Sequence, residues 1–75
     1  MVERTDYLNA LRHWWNGGNA KQRADALRMY VGPTIETVNG VKDIRTVAEL
    51  SFEEVDQITV ERLIDMSMTI PNFLD

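Results

Sequence analysis

The sequence predicts a compact all-α domain of four to five short helices. Three features carry that prediction. Tyr7-Leu8-Asn9-Ala10-Leu11-Arg12-His13-Trp14-Trp15 gathers two indoles, a phenol and two leucines on one broad face when laid out at about 100° per residue. The stretches 5–16 and 20–31 are separated by Asn16-Gly17-Gly18-Asn19 and closed by Gly32-Pro33, the punctuation of a helical hairpin. Leu50-Ser51-Phe52-Glu53-Glu54-Val55 has the spacing of a capping box with a hydrophobic staple. The expected architecture is a helical hairpin over 5–31, packed on a C-terminal helical segment over 44–68. A short extended tail follows over 69–75.

The first helix is expected from Thr5 to Asn16. Thr5 or Asp6 can cap it, and an acid there suits the helix dipole. Gly17 and Gly18 are expected to end it through positive φ. So short a loop should fold the second helix back against the first. That second helix has Asn19 as its N-cap and Gln22 three residues on. Ala20, Ala24, Leu27 and Val31 share one of its faces. Gly32 stands at its C′ position and Pro33 stops it.

Residues 34–44 admit two structures. Asn39-Gly40 is a strong hairpin signal. A two-residue turn there sets Val38 opposite Val41, Glu36 opposite Asp43 and Ile35 opposite Ile44. Glu36 and Asp43 then repel, the apolar pairs fall on both faces, and an isolated two-stranded ribbon is marginal. A short helix from Pro33 instead aligns Ile35 with Val38 and leaves Gly40 as its C-cap. The helical turn is the expectation.

Asp43 can cap a short helix carrying Ile44, Val47 and Ala48. The next helix should begin at Phe52. Phe52, Val55, Thr59, Leu63 and Met66 form one stripe, while Ile58, Val60 and Ile64 fall off it. Either this helix is buried on two sides, or it breaks at Thr59. It leaves before Pro71, and Phe73-Leu74 then forms an anchor that tucks into a groove.

Composition narrows the function. Seventy-five residues make one domain, small enough to need a well-packed core, an oligomer, or both. The absence of cysteine removes disulfides, zinc fingers and thiol catalysis and fits a cytoplasmic setting. Met1–Asp6 lacks the basic-then-apolar pattern of a signal peptide. No apolar run approaches a membrane span. The net charge of −4 is uneven. Residues 1–33 carry +2 and residues 34–75 carry −6, Asp75 included. Such a split either joins two faces within one fold or offers an acidic half to a basic partner.

Few residues suggest chemistry. His13, the only histidine, has Asn9, Ala10, Asn16 and Gly17 as helical neighbours, with no carboxylate or nucleophile among them. Glu61 and Asp65 are four apart, yet no loop of the kind that holds calcium is present. Gly17-Gly18 follows a helix and lacks the lysine of a phosphate loop. The expectation is a non-enzymatic protein with no cofactor and no metal. Arg12, Lys21, Arg23 and Arg28 could instead make a helix-turn-helix-like basic face for nucleic acid. Asp25 between Lys21 and Arg28, and the acidic total, weigh against that alternative.

Apolar surface exceeds what one small core uses, and surplus apolar surface marks an interface. The expected function is therefore a protein–protein interaction module, in the form of an accessory or inhibitory protein whose acidic C-terminal half occupies a basic surface of a larger partner. The expected partner-binding residues are Trp14, Trp15, Glu53, Glu54, Glu61, Asp65, Met66, Met68, Phe73 and Leu74. Homodimer formation is the other use of the same surface, and a well-packed monomer with ordinary surface hydrophobes is the plainer one. Val41-Lys42-Asp43-Ile44-Arg45-Thr46-Val47-Ala48-Glu49-Leu50 resembles the second half of helix-hairpin-helix modules. The glycine-containing hairpin that contacts DNA in that family is missing here, so no residue role follows from the resemblance.

Overall fold

Asp6 sets the point at which the chain turns helical. Its Oδ2 accepts the backbone N–H of Glu3 at 3.1 Å, so the cap acts from within the first turn. Helix α1 accordingly spans Arg4–Gly17, one residue earlier than expected at its start. The computed structural model describes residues 3–74. Met1, Val2 and Asp75, which the expected domain limits and tail include, lie outside the described residues. Neither Gly17 at the end of α1 nor Gly18 after it takes positive φ, and Gly18 is extended. The helix ends instead where the Arg23 side chain arrives, as described below.

Helix α2 spans Ala20–Tyr30. Asn19 caps it as expected, its Oδ1 accepting from Gln22 N at 2.9 Å. Gly32 at φ 121° closes it, with its N–H donating to Leu27 O at 3.2 Å. The two helices do not form the expected hairpin. The main neighbour of α1 is α4, and that of α2 is α3.

The all-α expectation fails at residues 34–43. Strands β1 (Thr34–Thr37) and β2 (Gly40–Asp43) form a two-stranded antiparallel sheet, so the fold is mixed α/β with high helical content. The register explains the miss. Thr37 faces Gly40 and Glu36 faces Val41, so the turn residues are Val38 and Asn39. Gly40 follows them at φ 99°, the positive-φ position that a type I turn needs when it continues into a strand. Moving the turn back by one residue shifts each partner by two, which takes Glu36 from Asp43 to Val41 and removes the repulsion that argued against a hairpin. Ile35 lies on the buried face. The ribbon is not isolated, because β1 lies against α4, which supplies the third layer that a lone hairpin lacks.

Helix α3 spans Ile44–Ala48, capped by Asp43 Oδ1 on Arg45 N at 2.8 Å. Ile44, Val47 and Ala48 are all buried, as the spacing predicts. The capping box at Ser51 does not form. Ser51 precedes a single 3-10 turn, Phe52–Glu54, and its side chain makes no cap hydrogen bond. Val55 is extended, and helix α4 begins after Asp56, spanning Gln57–Thr69. The break thus falls at Val55-Asp56 and not at Thr59, which is buried inside the first turn of α4. Val60 and Ile64 are buried beside Leu63, so α4 is covered on two sides. The tail is a turn and not an extended segment.

One core joins every element but β2. Leu11 and Trp15 of α1, Leu27 of α2, Ile35 of β1, Ile44 of α3 and Leu63 of α4 meet in it. Arg23 ties its edge together. Its guanidinium donates to Ala48 O (2.8 and 3.1 Å), Trp15 O (2.7 Å) and Gly18 O. These carbonyls sit at the ends of α1 and α3, where helices leave acceptors without partners. Trp15 completes the joint, its indole N–H donating to Leu50 O at 2.8 Å.

Candidate interaction groove

The C-terminal turn builds an open apolar surface. Pro71 cannot extend α4, and Asn72 takes φ 65°, a value its short polar side chain tolerates. Phe73 N then donates to Ile70 O at 3.3 Å, which folds the chain back. Phe73 is driven into the core against Tyr30 (ring centroids 5.3 Å) and Trp14 (6.2 Å). With the turn pinned, Ile70 and Leu74 come to lie across from α1. Tyr7 and Ala10 are three residues apart on α1 and share one side of that helix.

The result is a groove of about 570 Å³. Tyr7, Ala10, Met68, Ile70, Phe73 and Leu74 make it apolar, and Met68 remains 49% exposed. Asp6 is the one charged residue among the described residues that line it. Methionine is unbranched and polarizable, so it adapts to the shape of what it contacts.

The expected partner-binding residues divide into three groups. Met68 and Leu74 line the groove, and Phe73 is its buried base. Trp15 is core at 1% exposure and is no anchor. Trp14 is half-buried between Trp15 and Phe73. Met66 is half-buried against the core. The acidic residues also separate. Glu61 and Asp65 turn to Arg4 of α1, Glu61 in direct contact and Asp65 at 3.8 Å. Glu53 and Glu54 are exposed and pair with no cation among the described residues.

The four cations of the alternative do not share a face. Arg23 is turned inward on backbone carbonyls. Arg12 lies over the Phe52 ring at 5.6 Å. Lys21 and Arg28 line a cleft between α2 and α3 whose walls also carry Arg45, Asp25 and Glu49. His13 is exposed, and its neighbours in a shallow pocket are Trp14, Gly17, Gly18, Gln22 and Arg23. Among the described residues, no group of three or more histidine, aspartate or glutamate side chains is placed to hold a metal ion. Nor is any helix among them long and apolar enough to cross a membrane.

Sequence reasoning missed Tyr7 and Ala10 as lining of a groove. Both sit on the apolar stripe of the first helix, which reads as core, and only the path of the tail decides otherwise. It also missed Met29, which is 77% exposed on α2. No family model, curated protein or solved structure matches the chain.

Proposed function

We propose that the chain is a non-enzymatic, cytoplasmic protein-binding module. Its groove takes a bulky apolar side chain with a cation beside it from a partner protein. The observation that carries this reading is the open apolar groove with Met68 half-exposed at its edge and Asp6 on its rim. Buried apolar anchors dominate the energy of protein interfaces, and a carboxylate at the rim favours a cationic neighbour. Glu53 and Glu54, exposed elsewhere on the surface and without a cation partner among the described residues, extend the preference to partners of basic surface. The absence of cysteine supports the compartment. The nucleic-acid alternative has less support, because Arg23 and Arg12 are both engaged within the fold.

Selection of linear peptides on the immobilised chain tests the groove. Binders are expected to carry a large apolar residue flanked by lysine or arginine. Their amide shift changes should cluster at Tyr7, Ala10, Met68, Ile70 and Leu74. Met68→Lys should weaken them about tenfold or more, which is the scale of losing one well-buried anchor. Binding indifferent to Met68→Lys would overturn the reading.

A further inference from the structure

We infer that Met68 is a modification site that switches the groove: a peroxide converts its thioether to the sulfoxide, and the groove then releases its apolar occupant. The inference rests on the groove being a docking site. The chain has four methionines and no cysteine, so no thiol of its own competes for the oxidant. Three of the methionines are described, and the fold separates them. Met29 is 77% exposed on α2 and lies outside the groove lining. Met66 is half-buried against the core and also lies outside it. Of the three, Met68 alone is both open to solvent, at 49% exposed, and part of the groove. An oxidant must reach the side chain it attacks, so exposure sets Met68 ahead of Met66.

The step is a two-electron oxidation. A lone pair on the Met68 Sδ attacks one oxygen of hydrogen peroxide. The S–O bond forms as the O–O bond breaks. The proton on the transferred oxygen passes to the departing hydroxide, which leaves as water. Sulfur is oxidised, the peroxide is reduced, and a flexible apolar side chain has become a polar one. The groove is poorly furnished to receive that oxygen. Ser67 and Thr69 line it, yet their hydroxyls already donate to Leu63 O at 2.8 Å and to Asp65 O at 2.9 Å. Asp6, as a carboxylate, only accepts. Beneath a bound apolar side chain the sulfoxide oxygen loses water and gains none of these three as a donor, and burying an unpaired polar group is costly.

Graded hydrogen peroxide tests the switch, with each methionine followed by its methyl NMR signal and by peptide mass spectrometry. The binding probe is a peptide selected on the unoxidised chain as above. Met68 and Met29 should oxidise before Met66. The peptide dissociation constant should rise about tenfold or more in step with the Met68 sulfoxide, and methionine sulfoxide reductases should bring it back. Met68→Leu removes the sulfur and keeps the position apolar, so its own affinity should be the same before and after peroxide. Met29→Leu changes a position outside the groove and should keep both the wild-type affinity and its loss on oxidation. The circular dichroism spectrum should hold throughout. An affinity unchanged once Met68 is oxidised overturns the inference. So does a loss that persists in Met68→Leu, oxidation of Met66 ahead of Met68, or collapse of the circular dichroism spectrum. The two ideas fail separately. Peptides bound equally by the oxidised and unoxidised chain would remove the switch and leave the groove, whereas an unoxidised chain that selects no peptide removes the groove and the switch with it.

Discussion

Trp15 and Trp14 are adjacent in the chain and have opposite fates. Trp15 donates to Leu50 O, lies edge-on to Phe52 at 6.0 Å, and carries the Arg23 guanidinium over its ring at 5.4 Å. Trp14 is half-buried and mainly holds Phe73. Trp15→Ala should therefore cost about 3–5 kcal/mol, the usual range for a buried large aromatic. Trp14→Ala should cost roughly 1–2 kcal/mol, in keeping with partial burial, and should loosen the tail that walls the groove. Urea unfolding of the two variants checks the order, and equal losses would contradict it. The sequence shows that one indole must be core but not which. The two lie about 100° apart on one stripe, and the choice is made by a carbonyl 35 residues away. Arg23 was illegible for the same reason. A basic residue on an amphipathic helix reads as solvated, and nothing local announces that three backbone carbonyls converge on it.

Elements were legible where their signals are local. Asn19 and Asp43 cap as their side chains dictate, and Gly32 closes α2 by the one conformation glycine adopts readily. The hairpin shows how a correct local signal can be discounted. Asn39-Gly40 does mark the turn, but with Gly40 as its exit and not its second central residue. Moving the turn by one residue shifts every cross-strand partner by two and so decides which pairs face each other. Ser51 shows the reverse case. The spacing Ser51, Glu54 and the apolar pair Leu50, Val55 fit a long helix, yet the chain must turn after Glu54 so that α4 can cover Ile35 on β1. Tertiary packing overrides the local cap. Asp43→Ala should therefore destabilise by about 1 kcal/mol through loss of a working cap. Ser51→Ala should stay within about 0.5 kcal/mol, as for an ordinary surface change. Thermal melts of the pair decide it, and a larger loss at Ser51 would restore the cap that the fold lacks.

At the scale of the molecule, charge is where sequence and fold inform each other most. A net charge of −4 on 75 residues produces self-repulsion, and the fold relieves only part of it. Arg4 bridges to Glu61 and Asp65, tying α1 to α4 across side chains that remain about half exposed or more. Such pairs are worth about 0–1 kcal/mol. Glu53 and Glu54 are neighbours on the connector before α4, exposed and without a paired cation among the described residues. Salt screens both attraction and repulsion between exposed charges, and here repulsion outnumbers attraction. The melting temperature should therefore rise with moderate sodium chloride. Glu53→Gln with Glu54→Gln should raise it at low salt and flatten its salt dependence. Glu61→Gln removes an attraction and should lower the melting temperature at low salt. A chain stabilised mainly by ion pairs would show the opposite sign for added salt and for the Glu53 and Glu54 changes, and the same sign at Glu61. Two melts per variant, at low and at moderate salt, therefore separate a connector that repels itself, and so favours a basic partner, from one that is balanced within the fold.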